Sequence, residues 1–286
     1  MRTWPSNRRR APGFFRRAQI PLLLAAWVGF SAATWLVADE AHPREAVRSF
    51  APAKQVNYRE PARLYAVTNA QGWTVRLERE LADAQPALAR EALARLDAKL
   101  AEVLRRLPAG SHARLRRLPI FLLFGEEAKA GGRDNGAEYF QREAPDFFPL
   151  TDPHWGSSLV IYSARNYVQL SDQWAVRVLL HEFAHAWQLE QWPEKQPDIQ
   201  AAYDHAMCKG LYRRVKDVNG DPIAKAYAAE NQLEYFAELS TAYFLRGEYE
   251  PFDRAALRAY DPEGYAMIEK MWGINGPPPP AEKSAP

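Results

Sequence analysis

Cysteine is nearly absent from this sequence, because Cys208 is the single cysteine among its 286 residues. One thiol cannot form a disulfide within the chain, so the fold has no disulfide framework. Hydrophobic residues make up 47% of the chain. This share suits one globular domain of ordinary size with some appendages.

Acidic residues are missing from the first 38 positions, which contain six arginines. After the basic segment 1–17, nineteen largely apolar residues run from Ile20 to Ala38. We therefore predict that residues 18–38 are a membrane anchor or a signal peptide. Positive charge stays on the cytoplasmic side of a membrane. Residues 39–286 should then face the periplasm or the exterior of a bacterial-type cell envelope, either anchored in the inner membrane or exported after cleavage.

An excess of basic residues is missing from the rest of the chain. Without the six leading arginines, 31 basic and 35 acidic side chains remain, which gives a net charge of −4. This balance predicts no surface for binding nucleic acid.

The remainder of the chain divides into a tether (39–68), a domain (69–274) and a proline-rich disordered tail (275–286). In the first half of the domain, a helix is predicted to begin at Pro86. Strand patterns cover 72–80, 117–125 and 158–164, and a long loop rich in glycine, proline and aromatic residues covers 125–157.

Helices dominate the second half of the domain. A central helix begins after Ser171, which is an adequate N-cap, and further helices are predicted over 197–215 and 230–247. One or two short helices follow. Because strands precede the central helix and helices follow it, the sequence predicts an α+β domain with a small sheet and a mainly helical C-terminal part.

The segment HEFAH, residues 181–185, sets two histidines four positions apart on the central helix. His181 and His185 then share one helical face, with Glu182 less than a third of a turn away. Two imidazoles so placed can bind Zn²⁺ while the carboxylate reaches a water molecule beside it. Apolar residues surround this motif, so its polar groups need a partner, and a metal ion provides one.

Zinc catalysis needs a third protein ligand and one open position. An extended motif with glycine and a third histidine is excluded, because Gln188 and Gln191 occupy those positions. Glu234 and Glu238 lie one turn apart on a later apolar helix. In glutamate-zincins, the first of two such carboxylates binds the metal and the second accepts a hydrogen bond from a ligand histidine. The other candidates for the third ligand are Asp204, His205 and Glu230.

HEFAH followed by YAAENQLEYFAE (227–238) resembles the catalytic domain of the anthrax lethal factor family. The Mlc titration factor A peptidases have a similar HEFAH and a similar glutamate-Phe-Phe-Ala helix. The resemblance covers residues 158–246 and implies a zincin-like metallopeptidase domain. It also implies that Tyr227 points into the site and stabilises the oxyanion that develops during the reaction.

These features together predict a zinc-dependent peptidase, and more specifically an endopeptidase, that acts on peptide or protein substrates. Glu182 would serve as general base toward a zinc-activated water and pass its proton to the leaving amine. The strand at 158–164 is expected to receive an extended substrate by strand addition. His154 and Trp155, just before this strand, are candidates for lining the cleft.

Two other classes of function remain open from the sequence. The first is a non-catalytic module that keeps a structural zinc ion. The second is an envelope scaffold without a metal, whose tether and proline-rich tail recruit partners. An intact glutamate between the two histidines favours the peptidase.

Overall fold

The computed structural model describes residues 56–274. The predicted basic segment, the anchor or signal peptide (18–38), the tail (275–286) and most of the tether lie outside the described residues. Between residues 56 and 274, no helix is long and apolar enough to cross a bilayer.

Short strands alternate with helices in the first half of the described chain, and helices dominate the second half. The strands are β1 (Tyr65–Ala70), β2 (Trp73–Glu78), β3 (Ile120–Leu122), β4 (Ala137–Phe140), β5 (Ser158–Ile161), β6 (Arg213–Lys216) and β7 (Pro222–Lys225). The helices are α1 (Arg79–Ala84), α2 (Pro86–Arg106), α3 (Ala109–Leu115), α4 (Ala144–Phe147), α5 (Ala164–Gln169), α6 (Asp172–Leu189), α7 (Pro197–Cys208), α8 (Gln232–Phe244), α9 (Arg254–Tyr260) and α10 (Pro262–Met271).

The main sheet has the strand order β1-β2-β3-β5-β4 within the described residues. Its three central strands run parallel, while β1 and β4 pair antiparallel at the two outer positions. The strands β6 and β7 form a separate antiparallel pair. The fold is therefore a mixture of helices and strands with a small mixed sheet, as expected at this level from the sequence.

The two faces of the main sheet bury different side chains, because successive residues of a strand point to opposite faces. On β5, Leu159 and Ile161 belong to the large core that also contains apolar residues of α2 and α6. Val160 points the other way, into a smaller cluster with Phe121 and Trp155. The sheet is thus buried on both faces.

The last residues of the predicted tether (39–68) take part in the folded structure. Strand β1 begins at Tyr65, and Tyr58 is already buried, with its backbone N–H bonded to the carbonyl of Leu150 at 2.7 Å. Leu64, directly before β1, and Val67 within it are exposed, and burial along this outer strand does not alternate from residue to residue as a strand pattern would predict.

The loop predicted for 125–157 contains a strand, β4, which pairs with β5. Because β5 lies between β3 and β4, its backbone groups are already paired on both sides. The expectation that β5 receives a substrate strand is therefore wrong, and β4 occupies the outer position instead. Strand β4 is only four residues long, between Gly136 and a charged segment, so the sequence carries little strand pattern there.

Trp155 does not line a cleft beside α6. It is 1% exposed and packs on the opposite face of the main sheet, with ring centroids 4.7 Å from Tyr58 and 5.1 Å from Phe140. The neighbouring His154 is held by Asp152, whose Oδ1 lies 2.8 Å from its Nδ1.

The helix predicted over 197–215 ends early, at Cys208. Gly210 has a φ of +69° and its N–H bonds to the carbonyl of Met207, while the N–H of Leu211 bonds to the carbonyl of Ala206. These two bonds form a Schellman motif, which ends a helix at a glycine with positive φ. The chain then enters β6.

Candidate metal centre

Helix α6 carries the HEFAH segment through the interior of the domain. Its N-terminus is capped by Ser171, whose hydroxyl accepts the backbone N–H of Trp174, as predicted. His181, Glu182 and His185 are 2%, 5% and 1% exposed. These three polar side chains are therefore withdrawn from water and must be satisfied inside the protein.

Helix α8 packs against α6 and brings two carboxylates toward the histidines. Asn231 caps this helix by accepting the backbone N–H groups of Leu233 and Glu234. Glu234 and Glu238 follow one turn apart and are 2% and 4% exposed. The spacing predicted from the sequence thus places both carboxylates on the buried face of α8.

His181, His185 and Glu234 form a compact group of possible metal ligands. The Nε2 atoms of the two histidines are 3.1 Å apart, and they lie 3.2 Å and 3.4 Å from Oε2 of Glu234. All three side chains are buried. The three residues proposed as ligands from the sequence therefore meet at one point, and this group could hold a metal ion.

The protonation of this group favours a cation at its centre. Burial opposes a charge on His181, but Glu234 and Glu238 outweigh it and raise its pKa to about 10. Burial likewise opposes the charge on Glu234, but the two histidines lower its pKa well below the usual range. The carboxylate is thus ionised and faces two imidazoles, so either a proton or a metal ion must balance the charge.

Glu182 lies between the ligand group and strand β4. One of its carboxylate oxygens, Oε2, accepts the backbone N–H of Tyr139 at 2.8 Å. Burial raises the pKa of Glu182 to about 7, although His181 and His185 oppose this shift. A carboxyl group with a pKa near neutrality can accept and release a proton at physiological pH.

Glu238 lies behind His181, on the side away from Glu234. Its Oε1 is 3.0 Å from Nδ1 of His181, and both of its oxygens accept hydrogen bonds at 2.8 Å from Arg177. Burial opposes its charge, but Arg177 and then His181 lower the pKa of Glu238 to about 2. An ionised Glu238 holds the proton of His181 on Nδ1, which leaves Nε2 free to bind a metal.

Tyr227 lies in a short 3₁₀ turn, Tyr227–Ala229, directly before α8. Its ring stacks near that of His181, with centroids 6.0 Å apart and an interplanar angle of 22°. Burial and then the charge of Glu234 raise its pKa well above the usual range. The hydroxyl therefore stays protonated and can donate a hydrogen bond beside the ligand group.

The other ligand candidates lie elsewhere. His205 forms an ion pair with Glu263 on α10. Asp204 accepts a hydrogen bond from Gln200 within α7, and Glu230 pairs with Lys225.

Sequence reasoning missed two residues that contact the site, Tyr139 and Arg177. Arg177 precedes His181 by one helical turn, and a buried arginine at that spacing is a signal that could have been noticed. Tyr139 acts through its backbone N–H, and its position follows only from the pairing of β4 with β5. No pattern in the sequence marks such a contact.

Comparisons with family models, with characterised proteins and with solved structures give no match to this chain.

Proposed function

We propose that this protein is a zinc-dependent peptidase of the glutamate-zincin type. The observation that carries the proposal is the meeting of His181, His185 and Glu234 within 3.1–3.4 Å, with Glu182 beside them. Two neutral imidazoles, one carboxylate and an open position form the ligand set of catalytic zinc sites. The general base and the ligands are then supplied by two helices in contact.

The dimensions of the ligand group support zinc. Tetrahedral coordination with bonds of about 2.0–2.1 Å places neighbouring ligand atoms about 3.3 Å apart. The three distances among His181, His185 and Glu234 lie on both sides of this value. Nitrogen and carboxylate donors in a compact, four-coordinate arrangement suit zinc better than magnesium or calcium, which prefer six or more oxygen ligands.

The roles of the side chains follow from their positions. When bound, zinc would lower the pKa of a water molecule and polarise the carbonyl of a peptide bond. Glu182 accepts the proton of the attacking water and passes it to the leaving nitrogen. Tyr227 donates its hydroxyl hydrogen to the developing oxyanion, which its raised pKa permits. Glu238 keeps the imidazole of His181 in the orientation that presents Nε2 to the metal.

Strand β4 is the surface we propose for an extended substrate. The N–H of Tyr162 bonds to the carbonyl of Gly136, so the backbone groups of Glu138 pair with β5 while those of Ala137 and Tyr139 point away from it. The Tyr139 N–H already bonds to Glu182. A peptide added along this edge would therefore pair with Ala137 and with the carbonyl of Tyr139, next to the general base.

We also propose that the domain acts outside the cytoplasm. The support is in the sequence, where six arginines and the apolar run from Ile20 to Ala38 precede the described residues. Residues 18–38 would anchor the chain in the membrane or direct its export.

The test is cleavage of a peptide library by the full-length protein, read by mass spectrometry, with Glu182→Gln compared at equal zinc content. Glutamine keeps the size of the side chain and can still accept the N–H of Tyr139, but it cannot take a proton. Loss of a general base costs about 10²–10⁴-fold in rate. We expect cuts from the original protein and a loss of that size in the variant.

Equal cleavage by both proteins would contradict the assignment of Glu182. If neither protein cuts while each chain holds one zinc ion, the non-catalytic zinc module is favoured. Protein that folds normally without retaining zinc would favour the metal-free alternative, in which the proton on His181 balances Glu234 and Glu238.

A further inference from the structure

Arg177 is a buried arginine that takes no direct part in the ligand group. It lies on α6, four residues before His181, and its side chain is 2% exposed. Its Nη2 donates to both oxygens of Glu238 at 2.8 Å, and its Nε lies 2.8 Å from a carboxylate oxygen of Glu248. A further hydrogen bond reaches the carbonyl of Arg246 at 3.3 Å. One guanidinium thus joins α6, α8 and the segment after α8.

Tyr249 extends this network to the turn that carries Tyr227. It follows Glu248, which pairs with Arg177, and its hydroxyl accepts the backbone N–H of Ala228 at 2.8 Å. Ala228 is the next residue after Tyr227, and both belong to the 3₁₀ turn. The network around Arg177 therefore reaches Glu238 on one side and, through Glu248 and Tyr249, the turn of Tyr227 on the other.

The cost of this arrangement indicates that it has a role beyond stability. Burying a guanidinium and its carboxylate partner carries a large desolvation penalty, and apolar residues of similar volume often stabilise a fold at least as well. The Arg177–Glu238 pair lies directly behind His181. It fixes the orientation of the Glu238 carboxylate, because both carboxylate oxygens bond to one planar guanidinium.

We propose that Arg177 and Tyr249 are positioning residues for the metal centre. Arg177 holds the Glu238 carboxylate so that one oxygen stays 3.0 Å from Nδ1 of His181, which orients Nε2 toward the metal. Tyr249 binds the turn before α8 and follows Glu248, which pairs with Arg177, so His181 and Tyr227 keep their relative positions. This inference rests on the proposed zinc peptidase function and adds two residues that act on the site without binding the metal, Arg177 through Glu238 and Tyr249 through the turn of Tyr227.

The first test measures the zinc dissociation constant of full-length Arg177→Met and Arg177→Lys by competition with a chromophoric chelator. Changes in the hydrogen-bond partners of ligand histidines cost about 10–100-fold in metal affinity. We expect a loss of that size for methionine. We expect a smaller loss for lysine, which keeps the charge without the planar fork.

A matched control comes from a second buried pair, Arg63 and Glu78, which is joined at 2.5 Å with both side chains under 5% exposed. Arg63→Met removes the same group from a comparable environment between β2 and the segment before β1. We expect this control to keep its zinc dissociation constant within about twofold of the original protein. That result would show that the loss of zinc affinity is specific to Arg177. An equal loss of zinc affinity in Arg63→Met and Arg177→Met would overturn the proposal.

Tyr249→Phe tests the second residue and does not depend on whether Arg177→Met folds. Removing the hydroxyl frees the turn of Tyr227 without changing the ligand group. We expect kcat to fall by about 10-fold with KM unchanged, because an interaction made only in the transition state is weakened. Unchanged kcat in this variant, or a loss confined to KM, would remove Tyr249 from the proposal.

Failure of the proposed function and failure of the positioning role give different experimental results. If the original protein binds no zinc at one ion per chain, the proposed function fails. If it binds zinc and cleaves peptides while Arg177→Met binds zinc equally well, only the positioning role of Arg177 fails.

Discussion

The two faces of the main sheet are both buried but differ in chemistry. The face toward α6 and α8 is continuous with a group of ionisable residues, including His181, Glu182 and Glu234, all at most 5% exposed. The opposite face is closed by aromatic side chains, with Trp155 at the centre of contacts to Tyr58 and other rings. Both sides carry buried charges, but those on the aromatic side are paired one by one, as in Arg63 with Glu78, whereas the other side brings two histidines and a carboxylate to one point.

This difference indicates where the chemistry lies. Buried ionisable groups cost folding free energy unless they are paired, and they cluster where their shifted pKa values are useful. The aromatic side contributes dispersion and apolar burial, and its buried charged groups have partners, as in the Arg63–Glu78 pair and the hydrogen bond from Tyr162 to Glu138. We therefore expect substitutions on the two sides to separate into effects on stability and effects on the metal.

The largest effect is expected on the aromatic side. Trp155→Ala should lower the free energy of unfolding by about 3–5 kcal/mol, which is the usual cost of removing a buried tryptophan. The measurement is urea unfolding of the metal-free protein followed by circular dichroism. The zinc dissociation constant of the folded variant should stay within about twofold. A tenfold loss of zinc affinity would show that the two sides are not independent.

A second, smaller effect is expected on the metal side. Glu234→Ala removes one of the three proposed ligands and should weaken zinc binding by more than about 100-fold, a larger loss than the one expected for Arg177→Met. The matched control is Glu230→Ala, one turn earlier, where the carboxylate pairs with Lys225. The zinc content after dialysis distinguishes the variants. Retention at the original occupancy by Glu234→Ala would assign the third ligand to another residue.

The smallest expected effect is the pH dependence of the metal side. The pKa of His181 is raised to about 10 without metal, so zinc must displace a proton from it at neutral pH. Zinc affinity should rise by up to about tenfold per pH unit between pH 7 and 9. Because this pKa is raised on folding, its contribution to metal-free stability is full below about pH 6.5 and is lost as pH rises through about 10.

Chelator competition at several pH values measures the pH dependence of zinc affinity. Unfolding of the metal-free protein at the same pH values measures the pH dependence of its stability. Affinity that does not change between pH 7 and 9 would contradict the ion pairing of His181 with Glu234 and Glu238. Trp155→Ala serves as a control here, because it should shift stability equally at each pH.

The sequence predicted the helices of the site more accurately than the sheet beside it. Ser171 and the apolar surroundings of His181 mark α6, and the spacing of Glu234 and Glu238 places both carboxylates on one face of α8. Helical periodicity is a local property, so these positions could be inferred from neighbouring residues alone.

The contacts that connect distant segments could not be predicted in this way. The N–H of Tyr139 reaches Glu182 only because β4 pairs with β5 at one register. Arg177 meets Glu238 across 61 residues of sequence, and Trp155, a candidate for lining the cleft, packs in the aromatic cluster on the other face of the sheet. Each of these contacts depends on how distant elements pack or on the register of paired strands. A local sequence pattern does not specify either.

A crystal structure of the zinc-loaded, full-length protein, with anomalous data at the zinc absorption edge, tests the central claim most directly. The account predicts one strong anomalous peak about 2.0–2.2 Å from Nε2 of His181, Nε2 of His185 and a carboxylate oxygen of Glu234, with a solvent oxygen completing the coordination near Glu182. No peak at this position, or a zinc ion enclosed by four protein ligands, would contradict a catalytic metal centre.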